Sequence, residues 1–263
     1  MHRRSGLFWG IILVFLAGLL LLRQMGVIVG DIFGYFWPLL IIAFGTWLII
    51  GYFARSRPVE GEKVSIPLEG ATSAYIKLDH GAGKLNIRPG TEPGEIINGT
   101  FSNGLKYKSN VTAGHLEVKM RPPSSEPWTW FPGESLDWDI HLNRDIPVSL
   151  EIDSGASASI LDLGELKVTD LDIDTGASST ELTLPGNAGN THVDIDTGAS
   201  SFKVRIPSGV AASIRVKSGI ASVKIDPRFP RLEGGLYQSV DYATATNRVD
   251  MTIDTGVGSI EVI

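Results

Sequence analysis

Two segments carry a pattern associated with acid-catalysed peptide cleavage: Leu171-Asp-Ile-Asp174-Thr-Gly-Ala-Ser and Val193-Asp-Ile-Asp196-Thr-Gly-Ala-Ser. Each matches the hydrophobic–Asp–Thr–Gly–Ala signature of aspartic proteases. That chemistry needs two carboxylates sharing a proton, one supplied by each of two lobes or subunits. The spacing does not provide the lobes, because 22 residues between Gly176 and Gly198 cannot build a barrel around each Asp. In a further copy of the segment, Ile214-Arg-Val-Lys217-Ser-Gly219, the equivalent position is Lys217. A corner tolerates that change and a catalytic dyad does not. Asp174 and Asp196 are therefore read as corner residues, with the aspartic protease kept as a remote alternative.

Other reactive groups are thinly spread. The chain has no Cys, which excludes a disulfide-stapled scaffold and a cysteine-ligated zinc or iron–sulfur centre. His2, His80, His115, His141 and His192 lack metal-ligand spacing and read as surface or strand histidines. Gly81-x-Gly83 lacks the helix that a dinucleotide site needs. Glu151, Asp153, Asp172, Asp174, Asp194 and Asp196 form an acidic ladder. The Gly-rich nonapeptide of calcium β-rolls is absent, so a solvated face is expected rather than a cation site. No cofactor and no catalytic residue are assigned. One segment is compositionally distinct: Arg121 to Trp138 holds Trp128, Trp130, Phe131 and Trp138 among four prolines. It reads either as a docking loop, since aromatic residues are enriched at interface hot spots, or as a cap on a repeat array.

The elements that hold these residues form a repeat. Aligned on glycine, the copies are Leu150-Glu-Ile-Asp-Ser-Gly155, Leu171-Asp-Ile-Asp-Thr-Gly176, Val193-Asp-Ile-Asp-Thr-Gly198, Ile214-Arg-Val-Lys-Ser-Gly219 and Met251-Thr-Ile-Asp-Thr-Gly256. An outlying copy, Ile76-Lys-Leu-Asp-His-Gly81, precedes them. The first four glycines stand 21, 22 and 21 residues apart, and the last follows 37 residues later. A regular period of this size marks stacked coils that cannot bury their apolar faces alone. Within a copy the alternation has period two: Leu171 and Ile173 point in, Asp172 and Asp174 out, and Leu182 and Leu184 point in again. Each ~21-residue coil thus reads as strand, Thr/Ser-Gly corner, strand, in an all-β, solenoid-like domain over residues 58–263. Positive φ is expected at the corner glycines. Stacking in chain order would set Asp194 and Asp196 beside Arg215 and Lys217, and Glu181 beside Lys203.

Ahead of the repeat lies an apolar, basic head. Within a total charge of −6, residues 1–57 carry +4 and the remainder −10. Ser5–Leu22 and Ile32–Ala54 contain no charge. Stretches near 20 residues cross a hydrocarbon layer of ~30 Å, so a two-helix transmembrane hairpin is expected over 1–57, with spans about 5–22 and 32–54. Leu22-Arg23-Gln24 offers no signal-peptidase site, and a second span follows at once. Arg3, Arg4, Arg55 and Arg57 flank the outer ends, which places both ends and the β domain in the cytoplasm. The acidic tail argues against nucleic acid as a partner and leaves the lipid bilayer as the first one.

The head residues Gly6-Leu-Phe-Trp-Gly-Ile-Ile-Leu, Gly18-Leu-Leu-Leu-Leu-Arg, Gly26-Val-Ile and Phe36-Trp-Pro-Leu-Leu-Ile-Ile resemble the LiaI–LiaF-like transmembrane hairpin. The tail, with Pro67-Leu-Glu-Gly-Ala, Gly81-Ala-Gly-Lys-Leu, the Thr-Gly-Ala-Ser repeats, Tyr242-Ala-Thr-Ala-Thr-Asn-Arg and Gly256-Val-Gly-Ser-Ile, is similar to the toast-rack (adhesin-like) β domain that often follows it. The resemblance implies a bacterial envelope-stress protein in the cell membrane, with no reaction of its own. Relatives of this kind restrain or recruit a sensor histidine kinase or a PspA-like effector. Such partners, and self-association, are the expected interactions. A surface-displayed, adhesin-like or structural module is the alternative.

Overall fold

The computed structural model describes residues 61–123 and 136–263. The chain divides into two units, Met1–Arg57 and Pro58–Ile263, and every described residue belongs to the second. The expected hairpin, with Arg3, Arg4, Arg55 and Arg57, lies outside the described residues, as do Trp128, Trp130 and Phe131.

The described residues form one twelve-stranded sheet. In chain order the strands are β1 (Glu62–Pro67), β2 (Ser73–Pro89), β3 (Glu95–Phe101), β4 (Lys106–Thr112), β5 (His115–Arg121), β6 (Trp138–Leu142), β7 (Pro147–Asp162), β8 (Lys167–Thr183), β9 (Asn190–Arg205), β10 (Ala211–Ile225), β11 (Leu236–Gln238) and β12 (Arg248–Val262). Six long strands lie parallel in the order β2, β7, β8, β9, β12, β10. The glycine-centred copies are these six strands.

Each long strand changes its inward face at the middle. In β8, Leu171, Ile173 and Thr175 are buried before Gly176, whereas Thr180 and Leu182 are buried after it. Odd positions face the core on one arm and even positions on the other. A strand whose inward parity reverses must fold over at that point, closing its arms on the core between them. The connections agree. Parallel neighbours ordinarily need a crossover of a dozen residues or more. Residues 163–166 alone join β7 to β8, and 184–189 join β8 to β9. Such short links suffice because each folded strand ends near where it began. The rows that meet inside include Leu78, Ile152, Ile173, Ile195 and Ile253 from the first arms, and Leu85, Leu161, Leu182, Phe202 and Ile260 from the second. Burying a side chain of this size contributes roughly 1.5–3 kcal/mol.

The corner glycines are needed for a different reason than the sequence suggested. None of Gly155, Gly176, Gly198, Gly219 and Gly256 is among the positive-φ glycines. The constraint is spatial. A Cβ on Gly176 would lie 2.8 Å from the carbonyl oxygen of Gly155, and one on Gly198 2.7 Å from that of Gly176. The same contact is 2.6 Å from Gly256 to Gly198 and 2.7 Å from Gly219 to Gly256. Stacked corners approach so closely that backbone fills the space a side chain would occupy.

Strand order departs from chain order once. Asp194 and Asp196 do not lie beside Arg215 and Lys217, because β12 enters between β9 and β10. The long connection 226–247 makes the return to that slot feasible, and Arg228 anchors it. The Arg228 guanidinium donates to the carbonyls of Ile206, Pro207 and Ile263 and stacks 4.4 Å from the Phe229 ring centroid. Charge favours the observed order on the second arm, whereas on the first arm Asp254 now adjoins Asp196. Lys217 adjoins Asp254, Lys203 lies between Glu181 and Glu261, and Glu261 adjoins Lys224. The expected neighbours Glu181 and Lys203 are in register.

The ends of the array differ. The outer edge of β2 takes β5 along Ser73–Leu78 and β6 along Leu85–Pro89. Between them the Leu136 N–H donates to the Ala82 carbonyl at 3.2 Å, covering the corner. At the other end, β11 pairs with β10 only over Ser213–Arg215.

If corner contact rather than charge holds the stack, Gly176→Ala and Gly176→Val should both lower the melting temperature, valine more, with overpacking costing about 1–3 kcal/mol. Asp174→Asn and Asp196→Asn alter exposed side chains and should stay within about 0.5 kcal/mol of wild type. Melting curves of the four variants decide the point.

Candidate functional site

The outward face of the first arms carries the charged ladders. One column reads Asp79, Asp153, Asp174, Asp196, Asp254 and Lys217 along the stack. Its neighbour reads Lys77, Glu151, Asp172, Asp194, Thr252 and Arg215. Adjacent strands are ~4.8 Å apart, so these carboxylates repel one another along the columns. A basic residue ends each column at one or both ends. Lys77 bridges two acids, with its Nζ 2.5 Å from Glu151 and 2.8 Å from Asp153.

That bridge tunes its members. Hydrogen bonds from Lys77 and Tyr75 hold the Glu151 carboxyl below its ordinary value. Bonds to Asp153 and Glu151 hold the Lys77 ammonium above its own. Tyr75, which donates to Glu151, is pushed up to about 12 by burial and that carboxylate. Asp172 is raised by burial, with Glu151 and Asp194 adding like charge. Between them lies a depression of ≈ 290 Å³ bordered by Tyr75, Glu151, Asp170, Asp172, His192 and Asp194. Among the described residues, no group of three His, Cys, Asp or Glu could hold a metal ion.

Asp174 and Asp196 face each other directly across β8 and β9. Both are exposed on one face of one sheet. Two lobes converging on a shared proton is not this arrangement; neighbouring corners of a stack is.

The aromatic segment divides. Trp138 is 1% exposed and begins β6, so it is a core residue rather than a docking residue. Its ring packs edge-on against Phe101 at 5.3 Å and His80 at 5.2 Å. Alternation on β6 explains this: Trp138, Ile140 and Leu142 share the inward face. His80 is a strand histidine, as expected, and its side chain is fully buried on the inward face of β2. Its Nε2–H donates to the Leu136 carbonyl at 2.7 Å, and burial lowers its pKa below the ordinary 6.5. The sequence signal was available: His80 stands where other copies carry Ser154, Thr175 or Thr197, and those threonines are buried. Leu136, His80 and Trp138 therefore close the first corner of the array.

With this geometry established, the comparisons are informative. Residues 55–205, more than half the chain, match the family described as the N-terminal domain of toast_rack, DUF2154. The chain belongs to the toast-rack family. Residues 7–49 match the LiaI-LiaF-like transmembrane region, which makes this a membrane-associated protein. No curated protein matches the chain. Among solved structures, one from Clostridium sporogenes ATCC 15579, provisionally described as a cell adhesion protein, aligns with TM-score 0.71 at 23% identity, covering 78% of this chain and 99% of that one. That likeness establishes the toast-rack fold seen here. A Bacteroides fragilis NCTC 9343 structure provisionally described as an adhesin aligns over 80% of this chain and 99% of its own, with TM-score 0.29 and 8% identity. The matched families are non-catalytic, and the two domains together fit a membrane-anchored envelope-stress module.

Buried His80 supplies a pH test. Its folded-state pKa is depressed, so as pH falls below about 6.5 the unfolded chain binds the proton more readily and stability drops. His80→Gln keeps a donor for Leu136 and cannot titrate. Between pH 7.5 and 5.0 the wild type should lose more thermal stability than H80Q, measured on the same full-length chain. Trp138→Ala, by contrast, should cost about 3–5 kcal/mol at either pH.

Proposed function

We propose that this chain is a membrane-anchored, non-enzymatic regulator or scaffold of bacterial envelope-stress signalling. It acts by binding other proteins. The observation that carries the reading is the order of the two matched segments, a LiaI-LiaF-like transmembrane region at 7–49 running into a toast-rack domain from 55. The geometry is consistent with it: long, in-register strands present extended charged faces and edges, which suit recognition of another chain. In this reading residues 1–57 pass the membrane twice, and Arg3, Arg4, Arg55 and Arg57 retain both ends in the cytoplasm. The β domain then meets a sensor histidine kinase or a PspA-like effector on that side. The description of the Clostridium sporogenes structure supports a second reading, surface display, which requires the opposite topology.

Sidedness separates the two. Protease added to intact spheroplasts should leave the β domain whole and digest it only after lysis. Digestion in sealed spheroplasts would transfer the case to surface display. Within the cytoplasmic reading, Trp128→Ala with Trp130→Ala should weaken capture of the kinase or effector without lowering the melting temperature. Unchanged capture removes these tryptophans from the interface.

A further inference from the structure

The β10 end of the array is an unfinished coil. Ala212 exchanges hydrogen bonds on its outer side with Ser239, giving its N–H to Oγ and accepting from the backbone N–H, each at 2.8 Å. Alternation turns the N–H and C=O groups of Val216 and Ser218 to the same side. Beyond Arg215 no strand among the described residues pairs there. The inward residues Val216, Val223 and Ile225 pack on the core yet remain partly exposed, and Ile220 at the corner is 80% exposed. The corresponding edge of β2 is covered by β5, β6 and Leu136.

Two columns end at this open edge on a basic residue, and a third carries one beside it. Lys217 terminates the column running back through Asp254, Asp196 and Asp174. Arg215 carries the charge of the one running back through Thr252, Asp194 and Asp172, with Leu236 of β11 on its outer side. On the second arm Lys224 ends an alternating row of Glu181, Lys203 and Glu261. The next strand on this edge would meet opposite charge by presenting acids at both lysine positions. It must also place glycine at the corner, because every succeeding corner down to Gly219 has no room for a Cβ against the carbonyl before it.

We propose that the free edge of β10 is a β-augmentation site for an extended segment of another protein, apolar–acidic in alternation with a glycine at its centre. The segment adds parallel to β10, its acids against Lys217 and Lys224, its apolar residues over Val216, Val223 and Ile225. Main-chain hydrogen bonds supply affinity, and the charges and corner supply selectivity. A second copy of this chain fits less well. Antiparallel pairing that sets Val216 against Val223 brings Arg215 opposite Lys224, and pairing Val216 with Ile225 brings Lys217 opposite Lys224. Lysine on an edge strand blunts exactly such self-pairing. The proposal gives the binding role above a physical surface and rests on that role for its use in cells.

The probe is a labelled peptide of this chain's own residues Arg248–Ile263, which lie parallel to β10 on its other edge. It is titrated by fluorescence anisotropy against the purified full-length protein in detergent. Binding is expected, and replacing Asp254 and Glu261 of the peptide by Lys, or its Gly256 by Val, should weaken it about tenfold or more. Lys217→Glu with Lys224→Glu in the protein should reverse the charge preference. Ser218→Pro, which removes an edge-facing N–H that β12 does not use, should abolish binding while the melting temperature holds. No binding, or binding indifferent to charge and glycine, overturns the proposal. So does a dimer of the unmodified protein that Ser218→Pro dissolves, which assigns the edge to a second copy. Stress signalling of the same variants in cells is scored separately, so the edge and the regulatory role can fail independently.

Discussion

The structure depends on how closely five glycine corners approach one another. At Gly176, Gly198, Gly256 and Gly219 the Cα faces the carbonyl oxygen of the corner before it, at a separation that leaves no volume for a methyl group. That contact sets the register of the six parallel strands, and register decides everything on either side of the sheet. A slip of one residue would turn Ile173, Ile195 and Ile253 out to water and the aspartates in. Folding at the corner also brings the strand ends together, so four to six residues suffice where parallel pairing usually demands a helix.

In-register stacking has an electrostatic consequence. Identical sequence positions become spatial neighbours, so a repeated Asp becomes a row of like charges. The protein tolerates the rows by leaving them in water and by placing Lys77 at one end and Arg215 and Lys217 at the other. On the second arm the order of strands uses opposite charge. Insertion of β12 puts Glu261 between Lys203 and Lys224, where chain-order stacking would have set the two lysines side by side; on the first arm it instead separates Asp194 and Asp196 from Arg215 and Lys217. Individual surface pairs contribute little, from near zero to about 1 kcal/mol.

Much of this was legible because the repeat writes its geometry twice, once in the glycine period and once in the two-residue alternation. The inward rows Leu171/Ile173 and Leu182/Leu184, the Glu181–Lys203 neighbours and the rejection of paired catalytic lobes all follow from local pattern. Three features do not. Positive φ at the corners was a property of isolated turns, whereas the real restriction comes from the next coil, which a single copy cannot reveal. The β12 insertion depends on Arg228 meeting carbonyls of Ile206, Pro207 and Ile263, groups far apart in sequence. Trp138 looked like part of a docking loop by composition, yet its parity with Ile140 and Leu142 places it in the core beside His80.

The asymmetry of the two ends follows from these constraints together. A stack of folded strands has a start and a finish, and each exposes backbone and half-covered core unless something closes it. At β2 the closure is built from the chain itself, with Trp138 and His80 filling the first corner and Leu136 bonding across it. At β10 the hairpin with β11 covers three residues, and basic side chains stand along the rest. Those side chains serve two ends at once. Against a second, antiparallel β10 they would meet like charge, a mismatch of the kind that protects open sheet edges. They also leave a register of unmet charge in which the only well-matched addition resembles the strand already lying on the other side, with acid at the two lysines and glycine at the bend.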